Sequence, residues 1–135
     1  MREVRGEGGG GEGQTPDFWD NAYFDGSYFH NGRPEAVKGF CTDVWFRYAK
    51  RFIRQQKKAG KPFLAYISTN APHGPMHCPP QYSDPYKAQG TSVANFLGMI
   101  ANIDENVGQM RAFLDKQGLT ENTIFVFTTD NGTSS

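Results

Sequence analysis

The sequence predicts an α/β domain, a doubly wound sheet with helices on both faces, and three observations predict it. Two apolar runs, Pro62-Phe63-Leu64-Ala65-Tyr66-Ile67-Ser68 and Thr123-Ile124-Phe125-Val126-Phe127-Thr128, have the near-continuous β-branched and aromatic character of strands covered on both sides. Between them Val93, Phe96, Leu97, Ile100, Ile103, Val107, Met110 and Leu114 recur at three- and four-residue spacing, which predicts one long helix over 92–117. Short joints connect strand, helix and strand, the pattern of a parallel βαβ unit with a right-handed crossover.

The chain has 135 residues, enough for a single domain with its own core. Residues 1–14 are rich in glycine and charge, with only Met1 and Val4 apolar, and are expected to be a flexible leader to a domain over 15–135. Residues 15–40 are aromatic without a period, and Asn31-Gly32 between Tyr28-Phe29-His30 and Arg33 predicts a small hairpin. A helix is expected to start at Thr42 or Asp43, either of which can cap it. Val44, Trp45, Tyr48, Ala49, Phe52 and Ile53 form its apolar stripe, and Gly60-Lys61-Pro62 ends it. Its basic residues, Arg47 to Lys58, are accounted for by a solvated helix face. Five prolines between Ala71 and Pro85 predict a stiff irregular loop, a good mount for a functional side chain. Gly118 is expected just past the end of the long helix, with Leu119 folding back over the last turn.

Lysine plus arginine number 14 and aspartate plus glutamate 14, so the formal net charge is zero and nothing in the composition points to a nucleic-acid partner. No apolar run approaches the ~18 residues of a membrane span. No apolar segment follows Met1, so no signal peptide is expected. Two cysteines, Cys41 and Cys78, do not make a disulfide framework.

The candidate chemistry sits at the two strand tips, because open α/β sheets bind ligands beyond the carboxyl ends of their strands. Asp130-Asn131-Gly132 places a carboxylate and an amide carbonyl side by side, hard oxygen ligands that suit calcium or magnesium rather than zinc. The same residues also read as a plain Asn-Gly turn, and Asn131-Gly132-Thr133 as a glycosylation acceptor, which a buried metal ligand would exclude. His73, between Pro72 and Gly74-Pro75, can donate to an anion or transfer a proton near neutral pH, or be an ordinary loop histidine. His30 and His77 are read as structural, and Cys78 as a small apolar residue of the loop.

Taken in order, these runs resemble the sulfatase family, the formylglycine-dependent sulfuric ester hydrolases of alkaline-phosphatase-like fold. The resemblance rests on Gly39-Phe40-Cys41-Thr42-Asp43, Lys61-Pro62-Phe63-Leu64-Ala65-Tyr66, Ala71-Pro72-His73-Gly74-Pro75, Ile103-Asp104-Glu105-Asn106-Val107-Gly108, Gly118-Leu119-Thr120-Glu121-Asn122-Thr123-Ile124 and Thr129-Asp130-Asn131-Gly132. It implies that His73 contacts the sulfate ester and protonates the leaving oxygen. It implies that Asp130 and Asn131 are two ligands of an active-site calcium, ahead of magnesium, and that the substrate is a small-molecule or carbohydrate sulfate ester. The family's nucleophile, a cysteine or serine in Cys/Ser-x-Pro/Ala-x-Arg converted to formylglycine, has no counterpart: neither Cys41-Thr42-Asp43-Val44-Trp45 nor Cys78-Pro79-Pro80-Gln81-Tyr82 carries the arginine. The family's paired acidic ligands and its lysine-x-histidine element are also absent. The expectation is therefore the middle of a sulfatase catalytic domain, inactive by itself. A phosphodiesterase or phosphonate hydrolase of the same fold, or a truncated non-catalytic domain, are the alternatives. Family members are usually exported or lysosomal.

Overall fold

A computed structural model describes residues 5–6 and 22–132 of the chain. Its frame is a pair of helices, α1 (Cys41–Lys58) and α3 (Thr91–Lys116). Contacts between them keep a nearly constant sequence offset: Asn102 with Asp43 and Gln109 with Lys50 are 59 residues apart, and Gln117 with Lys57 is 60 apart. Only helices running side by side in the same direction keep such an offset. The carbonyl of Gln117 receives the Lys57 ammonium, which also suits the negative end of α3.

Both helices stop in the same way. Gly60 and Gly118 take left-handed φ values of 63° and 62°, which cost a glycine nothing. The next N–H groups then turn back: Lys61 donates to the Gln56 carbonyl at 3.0 Å and Leu119 to that of Leu114 at 3.0 Å. Leu119 folds over the last turn of α3, as its position predicts.

Ahead of α1, strands β1 (Arg5–Gly6), β2 (Ser27–His30) and β3 (Arg33–Ala36) make an antiparallel sheet in the order β1-β2-β3. Asn31 and Gly32 form the β2–β3 turn with φ of 53° and 79°, the conformation the Asn-Gly pair predicts. The leader expected over residues 1–14 lies outside the described residues except for Arg5–Gly6, whose backbone pairs with β2. The loop after residue 70 is less irregular than its prolines suggest. Both Ala71-Pro72 and Gly74-Pro75 are cis, and Pro80 opens a one-turn helix α2 (Pro80–Ser83) that runs into a 3-10 turn, Asp84–Gln89. Proline costs nothing at a first helical position, where its missing N–H has no partner to lose.

Two apolar clusters result. One gathers Tyr23, Tyr28, Val37, Phe40, Val44 and Trp45 under the hairpin, together with Met99 of α3. The other joins Phe46 and Ile53 of α1 to Met110, Phe113 and Leu114 of α3. Between them α1 and α3 meet through polar groups. Asp43 Oδ1 accepts from Asn102 Nδ2 at 2.9 Å and from Asn106 Nδ2 at 2.7 Å, and both asparagines are buried. This corrects the expected cap. The helix starts at Cys41 with Phe40 before it, and no side chain caps it. The Asp43 carboxylate is taken up instead by the neighbouring helix.

The expected parallel βαβ unit is not formed among the described residues. Residues 63–67 alternate between half-buried and exposed, with Leu64 87% and Tyr66 88% accessible, and Phe63, Ala65 and Ile67 rest on the second cluster. Residues 124–127 are exposed, Ile124 at 93%. Neither run belongs to a ladder. The helices cover one face of the 63–67 run, whereas the apolar composition calls for cover on two and for strand neighbours as well.

Two glycines of α3 provide a test. A Cβ on Gly98 would stand 2.7 Å from Cys78 Sγ and 2.9 Å from the Ser83 nitrogen, whereas one on Gly108 would meet nothing within 4 Å. Gly98→Ala should therefore destabilise by about 1–3 kcal/mol through overpacking. Gly108→Ala should stabilise by about 1 kcal/mol through helix propensity. Urea midpoints moving in opposite directions are the expected result. At the helix joint, Asp43→Ala takes from the buried Asn102 amide its 2.9 Å acceptor and leaves Asn106 only acceptors on Asn102, and it should cost about 2 kcal/mol by the same measurement, a smaller loss than about 0.5 kcal/mol contradicting the joint.

Candidate active site

The loop that carries His73 is held from three sides. The Tyr23 hydroxyl, on a ring stacked against Phe40 at 5.9 Å, donates to the His73 carbonyl at 2.7 Å. Asn95 Nδ2 of α3 donates to the Met76 carbonyl at 2.8 Å. Cys78 lies against Gly98, where only a glycine leaves room for the loop to approach the helix. The His73 N–H donates to the Asn70 carbonyl at 2.8 Å, which closes the turn.

The His73 side chain is exposed, with Nδ1 2.7 Å from the Gly74 carbonyl. A carbonyl oxygen can only accept, so Nδ1 carries a proton and Nε2 is the nitrogen free to gain or give one. The backbone thus selects the tautomer and aims the reactive nitrogen outward.

Asp130 and Asn131 stand at the end of the last extended run, both exposed. Asp130 Oδ1 accepts from the N–H of the next residue, Asn131, at 2.9 Å, one residue short of the bond that closes an Asx turn. Among the described residues the second carboxylate oxygen and the Asn131 amide oxygen have no hydrogen-bond partner, and as hard donors they fit calcium chemically. They are two donors where calcium takes six to eight, and the described residues contain no group of three His, Cys, Asp or Glu placed to hold a metal. Among the described residues no hydrogen bond or ion pair joins His73 to either of them. A groove of about 550 Å3 between α3 and the last run is bordered by Gly108, Arg111, Asp115, Thr120, Thr123 and Phe125, and includes none of the three.

The residues read as structural have structural partners. His30 Nδ1 lies 2.8 Å from Glu35 Oε2 across the hairpin, and the His77 ring packs edge-on to Tyr23 at 6.1 Å. Cys41 is buried and Cys78 half-buried, both as free thiols. Burial, with the negative charge of Asp43 behind it, pushes the Cys78 thiol up to about 11 from an ordinary 9.0, which suits a packing residue and not a nucleophile. The sequence reading missed Tyr23, Asn95 and the Asp43–Asn102–Asn106 joint. For the asparagines a signal existed. Asn102 and Asn106 are four residues apart within the long helix and take buried places on it, where an amide needs a tertiary partner. Tyr23 gave none, because its tether is a backbone carbonyl 50 residues away.

Comparison with known proteins identifies the family. The profile of the Sulfatase family matches residues 10–135. Uncharacterized sulfatase YdeN of Escherichia coli (strain K12) is 31% identical over 114 residues, 82% of this chain and 20% of that protein. N-acetylgalactosamine-6-sulfatase of Rattus norvegicus is 33% identical over 92 residues, 67% of this chain and 16% of the relative. The crystal structure of Ps i-CgsB in complex with k-i-k-neocarrahexaose superposes with a TM-score of 0.66 at 25% identity, covering 71% of this chain and 22% of that one. The chain belongs to the sulfatase family, whose named members are sulfuric ester hydrolases. It spans about a fifth of the length of these relatives.

The Cys78 thiol is directly testable. Its folded pKa lies above its unfolded one, so its contribution to stability is complete below about 9 and disappears as pH rises through about 11. Alkylation of Cys78 by iodoacetamide, followed by mass spectrometry, should be slow at pH 8 and keep accelerating up to pH about 11, whereas in urea it should level off near the free-thiol value of about 8.5. A plateau near pH 9 in the folded chain would show an ordinary, accessible thiol.

Proposed function

We propose that this chain is the part of a sulfatase catalytic domain that supplies His73 as proton donor to the leaving oxygen and Asp130 and Asn131 as calcium ligands, and that it acts on sulfate esters of carbohydrates only within a complete domain. The observation that carries the reading is the tether on His73. Nδ1 is committed to the Gly74 carbonyl, and the Tyr23 hydroxyl holds the same residue's backbone, so Nε2 is presented to solvent in one orientation. An oriented imidazole beside a leaving oxygen is worth about 100- to 10,000-fold in rate.

The fold supports the placement of the two tips. Helices α1 and α3 run in the same direction, and each is followed within a few residues by an apolar run, which supports reading both runs as returning in parallel to the same pole. We read them as neighbouring strands of the doubly wound, alkaline-phosphatase-like sheet expected from the sequence, completed by strands from beyond this segment. His73 and Asp130-Asn131 follow the two carboxyl ends.

Calcium held there would neutralise charge on the transferring sulfuryl group. The role of this chain is to supply two of its oxygens on adjacent residues and to keep His73 ready to give up a proton. It encodes no formylglycine precursor in the family's motif, so the nucleophile comes from elsewhere in the domain. The carbohydrate class follows from relatives whose names specify N-acetylgalactosamine 6-sulfate and from a structural neighbour crystallised with a neocarrahexaose.

In the full-length protein carrying this segment, His73→Ala should lower kcat for a sulfate ester by about 100-fold or more. The loss should be smaller for an ester with an acidic leaving group such as 4-nitrophenol, which needs no proton. Asp130→Ala should shift calcium activation to higher concentration. Equal losses on good and poor leaving groups would remove His73 from the acid role.

A further inference from the structure

The exposed side of α1 has a charge pattern that a solvated helix does not need. From Val44 to Ser83 the sequence has no aspartate or glutamate, while Arg47, Lys50, Arg51, Arg54, Lys57, Lys58 and Lys61 fall within that stretch, half of the chain's 14 basic residues. At 100° per residue, residues 47, 50, 51, 54, 57 and 58 of α1 share one side, and all except the half-buried Lys50 are exposed, as is Lys61 just past the end of the helix. Along the axis the helical stripe from Arg47 to Lys58 runs about 17 Å, with Arg47 and Arg54 roughly 10 Å apart. Among the described residues none of these cations has a carboxylate partner.

An ordinary surface helix gains from Glu–Lys pairs four residues apart. This one has Arg47–Arg51, Lys50–Arg54 and Arg54–Lys58 instead, like-charge pairs that each cost about 0.2–0.5 kcal/mol. The macrodipole offsets such a cost only in the last turn, and Arg47, Lys50 and Arg51 lie well before it. Lys50 records the crowding: burial and the charge of Arg54 lower its pKa. The guanidinium groups are also supported. Arg47 and Arg51 both sit over the Tyr48 ring, at 5.6 and 5.7 Å, and Arg54 lies over Phe113 at 4.8 Å. Stacked guanidiniums lose less entropy on taking an anion than free ones do.

We propose that the outer face of α1 is a binding surface for a sulfated polysaccharide chain, separate from the site of hydrolysis and holding a polymeric substrate while one of its esters is processed. The inference rests on the sulfated-carbohydrate reading above. A polymer is required because a single ester cannot engage cations spread over about 17 Å. A polymer with anions at regular intervals offsets the repulsion along the whole stripe at once. Charge complementarity identifies the occupant: Glu35 approaches the stripe only through the Tyr48 hydroxyl, and cations paired with no carboxylate among the described residues have nothing to offer a cationic or neutral chain.

The test uses dextran sulfate, with unsulfated dextran, polyglutamate and duplex DNA as comparisons, titrated against the chain by fluorescence anisotropy across a range of salt. Dextran sulfate should bind, unsulfated dextran should not, and affinity should fall linearly in log-log form with salt. R47Q/R51Q/R54Q should weaken binding about tenfold or more at low salt and reduce the salt slope by roughly three, about one per cation removed. The charge-preserving R47K/R51K/R54K should keep most of the slope. Because Arg54 and Phe113 pack together, K57Q/K58Q/K61Q provides a second variant that leaves the stacked arginines in place, and it should also reduce the slope. Unchanged binding in both neutralised variants would overturn the proposal. So would polyglutamate or DNA binding as tightly as dextran sulfate, since that is a general polyanion field. Hydrolysis of 4-nitrophenyl sulfate by the full-length protein does not involve the stripe. Turnover of that ester without dextran sulfate binding would therefore sink this inference and leave the functional reading intact.

Discussion

The bond pair on Asp43 is the constraint that the rest of the structure depends on. One carboxylate oxygen receives an amide from Asn102 and another from Asn106, where α1 and α3 meet. Apolar contacts hold two helices together but tolerate a shift along the axis. Two directional bonds to a single oxygen do not. They set the register that recurs further along as Lys50–Gln109, Arg54–Phe113 and Lys57–Gln117. They also explain why a half-buried carboxylate is kept at the seam, since the polar joint contributes specificity of register.

That register reaches the candidate site through α3. Once the helix is locked against α1, Asn95 and Gly98 lie where they can anchor the loop, the first through the Met76 carbonyl and the second by leaving room for Cys78. Tyr23, on the other side, ties the loop to the start of α1, because its own carbonyl accepts from the Cys41 N–H at 2.8 Å. His73 is exposed, yet its backbone is one of the better-tethered parts of the loop. Asp130 and Asn131 lack such support: the run that leads to them makes no ladder and exposes Ile124, Val126 and Phe127. The two halves of the proposed site thus differ in how far this segment can organise them unaided, and the difference follows from which half rests on the helix pair.

The same helix pair separates two surfaces of opposite character. The inner side of α1 packs Phe46 and Ile53 against α3, and its outward side carries cations with no acidic neighbours in sequence between Asp43 and Asp84. A net charge of zero conceals this, because the balancing carboxylates lie elsewhere in the chain. Total charge bears on solubility, whereas its distribution decides what a surface can attract.

Local chemistry by itself determined the helices, their glycine stops and the Asn31-Gly32 hairpin, because each of these depends on residues within a few positions of one another. It also determined the apolar, extended nature of 63–67 and 124–127 and the order of motifs that marks a sulfatase. The parallel pairing of those two runs was not decided by composition, since a strand's partners lie far away in the chain and here the helices cover one face of 63–67. Only the tertiary structure decided that Asp43 would bond a neighbouring helix instead of capping its own, that Tyr23 would hold His73, and that Gly98 would seat Cys78. Each of those contacts joins residues some 20 to 60 positions apart. Distance along the chain leaves no local pattern, and such contacts come into being only when the packing of α1 on α3 brings their partners within reach.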